Sequence, residues 1–203
     1  MKKIYLHFGL LVILAYIEGC FPASSNNEEE EEKKEENTEV TEINESESSS
    51  IINAAKAEQE NRMYRPSQDS TYLYWLNNKL ILLNGSTKCN IFALNVLFRS
   101  GFKTPKTNAL SRDLFDTDKF TDILPVVGIN DIDNVKKGDL VVWNGHVIIL
   151  ESLTKIKDDL YAIAWWAGTR QKDNGENIKN NVCYGKYRLN GNFVVRRPVK
   201  SEK

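Results

Sequence analysis

Apolar side chains recur at Cys89, Phe92, Ala93, Val96 and Leu97, the i, i+3, i+4, i+7, i+8 rhythm of a helix with one buried stripe. Ser86 and Thr87 offer caps before this run and Gly101 stops it, so a helix is predicted over about 88–99. From Gly138 the rhythm changes. Asp139 to Trp143 and His146 to Leu150 are β-rich runs separated by Asn144-Gly145, a strong hairpin signal. Leu160 to Trp166, Val182 to Leu189 and Phe193 to Arg197 predict three more strands, the last two joined across Asn190-Gly191 as a second tight hairpin. A further helix is expected over Ile51 to Arg62, capped by Ser49 or Ser50. Tyr72 to Leu83 mixes both periods and is open between helix and strand. Residues 102–137 read as irregular, with one or two helical turns. Helices first and antiparallel strands after give an α+β class, helices against one face of a sheet.

The first 50 residues have a different character. Lys2 and Lys3 precede an apolar run from Phe8 to Ile17, too short for a permanent bilayer span and suited to a signal peptide over 1–19. Ile-Glu-Gly-Cys resembles a relaxed bacterial lipobox, which makes Cys20 a lipid anchor; an ordinary secretory signal ending near Ala23 is the alternative. Residues 21–50 contain 11 Glu and almost nothing to bury, so 20–50 is expected to be a lipidated cysteine followed by a disordered acidic tether. The tether also hides a charge. The whole chain has 27 Lys and Arg against 28 Asp and Glu, but residues 51–203 hold 23 against 16. A basic exported domain suits an anionic partner, and a cell-wall polymer or membrane surface is nearer to hand than nucleic acid. That domain is long enough for one core.

Within 51–203 the only histidine is His146. Cys89 falls in the first turn of its predicted helix, where unpaired backbone N–H groups favour a thiolate and can receive an oxyanion. His146 opens a strand just after a turn, a rigid place from which a ring could accept the thiol proton. The bland alternatives are a small core cysteine and a polar surface histidine. Cys183 reads as buried and inert unless it pairs with Cys89, which would make the cysteines a disulfide rather than chemistry. Adjacent Trp165 and Trp166 should face opposite sides of the sheet; an exposed one could stack on a sugar, whereas two covered ones would only pack. One histidine is too few for a zinc peptidase, and no phosphate loop or serine elbow is present, so neither metal nor cofactor is expected.

Thr87-Lys-Cys-Asn-Ile-Phe-Ala-Leu-Asn-Val-Leu-Phe-Arg-Ser-Gly101, followed by Lys137-Gly-Asp-Leu-Val-Val-Trp-Asn-Gly-His-Val-Ile-Ile-Leu150, resembles the NlpC/CHAP-type papain-superfamily cysteine hydrolases. In those families a cysteine starts a helix that ends at glycine, and a Gly-Asp-Leu-Val strand precedes a Gly-His-Val strand. The resemblance implies a papain-like fold with Cys89 as nucleophile and His146 as base. It implies a metal-independent peptidase or amidase acting on peptidoglycan. With the lipid at Cys20, the protein is expected to be a monomer held to the membrane of the cell envelope. Lys-Cys-Asn departs from the Asp-Cys-Ser-Gly of the NlpC branch, and Asn144-Gly145 is shorter than the loop usual before the histidine. The residue that would orient His146 is open among Glu151, Thr169, Gln171, Asp173, a backbone carbonyl, or none; alternation turns Glu151 away from His146. A non-catalytic surface lipoprotein (adhesin or inhibitor) on the same fold is the main rival, and acyl or lipid transfer by a related fold a weaker one.

Overall fold

Helix α1 (Glu45–Ala57) starts earlier than its alanines suggested, so residues 45–50 belong to it rather than to a disordered tether. The reason is local. Glu45 and Glu47 sit in the first turn, where the helix dipole favours them, and the Ser48 and Ser50 hydroxyls donate back to the Glu45 and Glu47 carbonyls. The computed structural model describes residues 45–65, 67–83, 86–171 and 177–202, without the side chains of 169–171 and 177–181. The expected signal peptide, Cys20 and the acidic segment up to residue 44 lie outside the described residues.

The ambiguous Tyr72 region is a hairpin with a 3-10 turn inside it: β1 (Ser70–Leu73), the turn Tyr74–Leu76, then β2 (Lys79–Leu82). Asn77 and Asn78 take the left-handed conformation that closes it, at φ 54° and 56°. Helix α2 (Cys89–Arg99) matches its predicted bounds but buries more than its stripe, Cys89 through Leu97 being covered throughout. One side packs on α1 and the 3-10 turn, the other on the main sheet. Asn95 makes this possible. Its Oδ1 accepts from Tyr74 N at 2.8 Å, and its Nδ2 donates to Tyr64 Oη and Tyr72 O at 3.1 and 3.0 Å. A buried amide with every partner supplied costs little.

After α2 the chain forms α3 (Ser111–Phe115) and then β3 (Val126–Ile129), a strand inside the segment expected to be irregular. Five more strands follow: β4 (Leu140–Trp143), β5 (His146–Ile156), β6 (Asp159–Gln171), β7 (Asn177–Arg188) and β8 (Val194–Arg196). They make one antiparallel sheet in the order β3-β8-β4-β5-β6-β7. Asn144-Gly145 is the expected two-residue connection, pairing Trp143 with His146. Asn190-Gly191 is not a hairpin: it carries the chain from edge strand β7 to β8, which pairs with β3 and β4 instead. Curling of the sheet brings those ends together. Trp143 of β4 and Tyr187 of β7 touch at 5.2 Å although two strands separate them, and the Trp143 indole donates to Asn190 O at 2.8 Å.

The sheet therefore has two apolar faces. Val147, Ile149, Trp165 and Val194 join the helices in one core, while Val141, Ile148, Leu150, Trp166 and Phe193 fill the concave side. The irregular run between α3 and β3 is fastened by one cation. Arg196 is fully buried and donates to the carbonyls of Leu114, Asp116, Lys119 and Leu124, so a stretch with little regular structure still has a fixed position.

Candidate active site

The start of α2 is held by the residue before the cysteine. Lys88 is fully buried, and its Nζ donates to the carbonyls of Met63, Arg65 and Gln68. Burial lowers its pKa, and three acceptors supply what water would otherwise provide. One residue on, Asn90 Nδ2 donates to Ala109 O at 2.8 Å, drawing the chain before α3 against the helix tip. Ser111 then lies beside the nucleophile candidate: Ser111 Oγ and Cys89 Sγ are 3.5 Å apart, and both residues are buried. A pocket of about 230 Å³ opens here, lined by Thr87, Cys89, Asn90, Leu110, Ser111, Arg112, Asn144 and Gly145.

Asn144 and Gly145 are the turn immediately before His146, so helix tip and histidine strand meet at one end of the sheet. Gly168 gives the same picture. A Cβ there would stand 3.9 Å from His146 Cε1 and 3.9 Å from the Thr87 side chain, so Thr87 and His146 flank a single backbone position. The imidazole nevertheless faces the concave side. It stacks on Tyr187 at 5.1 Å with rings 20° apart, and Trp143 lies 6.3 Å away. Cys89 and His146 thus approach the sheet end from opposite faces, and no hydrogen bond joins them; among the described residues His146 Nε2 is buried with no partner. The two-residue turn dictates this parity. With Trp143 and His146 directly paired they share a face, and a shift of one residue would turn the ring to the helix side.

Burial pulls the His146 pKa from 6.5 to about 4, which keeps the ring neutral at neutral pH. Tyr187 connects the two candidates. Its phenol is raised chiefly by burial and further by the charge of Cys89, while its ring carries the histidine stack. The motif aspartate has a structural duty: Asp139 is fully buried and paired with Arg197 at 2.9 Å.

The remaining expectations divide. Glu151 faces away from His146 as alternation required, and accepts the Trp165 indole N–H at 2.8 Å. Asp173 lies outside the described residues, as do the side chains of Thr169 and Gln171. Trp165 and Trp166 take opposite faces and both are buried, at 5% and 1% exposure, so neither presents a sugar platform. No disulfide joins Cys89 and Cys183; the Cys183 Sγ donates to Gly168 O at 3.8 Å. Ser111 and Tyr187 were not foreseen. Nothing in the spacing around Ser111 marks it, because Asn90 and Arg196 bring its segment to the thiol through carbonyl contacts.

The fold and site define an α+β protein with a buried thiol at a helix tip, opening into a small pocket beside a histidine-bearing hairpin. No known protein family, curated protein or solved structure matches the chain.

Proposed function

We propose that this chain is a cysteine hydrolase of peptide or amide bonds, on a papain-like fold of the NlpC/CHAP kind, acting on cell-wall peptidoglycan. The observation that carries the reading is the thiol of Cys89 lining a pocket with the turn that presents His146. Cys89 Sγ attacks the carbonyl carbon, the amine departs with a proton, and a thioester forms. Water then cleaves the thioester, releasing the acid and restoring the thiol. Ser111 Oγ stands within reach of the reacting sulfur, and the first-turn N–H groups are the donors available to an oxyanion. For His146 to take the base role the start of β5 must rearrange so that the ring leaves the Tyr187 stack and reaches the thiol's side of the sheet; among the described residues its buried Nε2 has no hydrogen bond to give up. A lipid at Cys20 and the acidic stretch after it would tether this basic domain to the membrane at the cell envelope.

A second reading, a non-catalytic surface binding module, is favoured by one fact: Cys89 Sγ meets Ser111 rather than His146. The two are separated by incubating the full chain with purified peptidoglycan and measuring soluble fragments. On the hydrolase reading the parent releases them, and Cys89→Ala lowers the rate by about 10³-fold or more, the loss typical of a missing nucleophile. Equal release by parent and variant removes Cys89 from the chemistry. Saturable binding without release supports the module.

A further inference from the structure

We propose that Arg112 determines specificity in the Cys89 pocket, and that the group it selects is a carboxylate beside the bond under attack. The inference rests on the hydrolase reading and narrows its substrate to an anionic peptide or acyl compound. Among the described residues lining the pocket Arg112 is the only formally charged one, and none of them is an acid. Most of the other arginines are engaged, exposed Arg62 excepted. Arg99 pairs with Glu58, Arg188 with Asp159 and Arg197 with Asp139, while Arg196 is taken by four carbonyls. The Arg112 side chain makes no hydrogen bond or salt bridge among the described residues, although its charge helps to lower the pKa of neighbouring Asp113.

The adjacent acid is already engaged. Asp113 accepts from Leu110 N at 2.9 Å and from Lys119 Nζ at 2.8 Å. Of the other polar side chains around the pocket, the Asn90 amide donates to Ala109 O and the Ser111 hydroxyl faces the thiol, while Thr87 and Asn144 are neutral. An incoming anion therefore finds one exposed guanidinium whose fork holds no hydrogen bond among the described residues and whose charge is shared only at a distance with Asp113; that planar fork matches a carboxylate. At about 230 Å³ the pocket admits only a small group, which keeps that carboxylate close to the attacked carbonyl.

The test uses two alkylating probes of nearly equal size, anionic iodoacetate and neutral iodoacetamide, on the full chain. Peptide-resolved mass spectrometry reads the rate at Cys89 alone. The iodoacetate-to-iodoacetamide ratio is expected to exceed that of the urea-unfolded chain by about tenfold, the factor for one hydrogen bond to a charged group. In Arg112→Gln the ratio should collapse to the unfolded value. Arg112 is exposed, so this variant keeps the fold. A Cys89 that reacts with both probes at the same ratio in parent and Arg112→Gln overturns the carboxylate inference and leaves the hydrolase reading standing. A folded chain whose Cys89 reacts with neither probe overturns both.

Discussion

Replacing Arg197 by Met is expected to cost about 3–5 kcal/mol of folding stability, the loss found when one partner of a buried ion pair is removed. The pair is two-pronged: Arg197 Nε lies 3.1 Å from Asp139 Oδ1 and Nη2 lies 2.9 Å from Oδ2. Lys136 N adds a donor to the carboxylate at 2.7 Å, and Arg197 also donates to Asn134 O. Burial pushes the Asp139 carboxyl up and Arg197 opposes that shift, so the variant leaves a carboxylate that must ionise alone in the core or take up a proton. The clasp joins the start of β4 to the end of β8. Gly138 beside it is at φ +91°, and a Cβ there would come within 3.0 Å of Ile51 Cδ1, so the Gly-Asp pair is required by packing on both counts. Urea unfolding of Arg197→Met and of the double variant Asp139→Leu/Arg197→Met measures the effect. The double variant should recover much of the loss; an Arg197→Met protein within about 1 kcal/mol of the parent would show that the charge is not sealed in.

Stability should also fall by about 3 kcal/mol between pH 6.5 and 4 through His146 alone. The imidazole is ordinary in the unfolded chain but is held to about 4 when folded. Between those values the unfolded state binds the extra proton, so the contribution is whole above pH 6.5 and is lost as pH falls to about 4. Below that the two states are protonated alike and the slope ends. His146→Phe keeps an aromatic ring for the Tyr187 stack and removes the titration. Subtracting its stability curve from the parent's cancels the carboxylates that titrate in the same range. A flat difference would mean that the ring is solvated in solution. Protonation of His146 in the free enzyme is also expected to set the acid limb of a hydrolysis that uses it as base.

Much of the local structure was legible. The bounds of α2, the β4–β5 turn and the existence of each strand after Gly138 follow from apolar spacing and turn chemistry, which act within a few residues. The start of α1 was missed because serines and glutamates read as solvent-loving, whereas at a helix start both are stabilising. β3 was missed because its pairing partner β8 comes 65 to 70 residues later, and four residues carry too little period to announce a strand. Cys89 and His146 were picked out as candidates by residue type and position. Their relation was not.

What the sequence determined by itself was the inventory: a thiol at a helix tip, one histidine opening a strand, a Gly-Asp pair, and an α+β order of elements. Only the tertiary structure decided that β8 inserts beside β4, that the sheet curls, and that His146 faces Tyr187 while Cys89 meets Ser111. The physical reason is that side-chain spacing records which residues want burial but not which distant backbone will cover them. Here that choice is made largely by Lys88 and Arg196, whose buried charges are satisfied by carbonyl groups. A carbonyl is common to every residue and leaves no mark in a sequence.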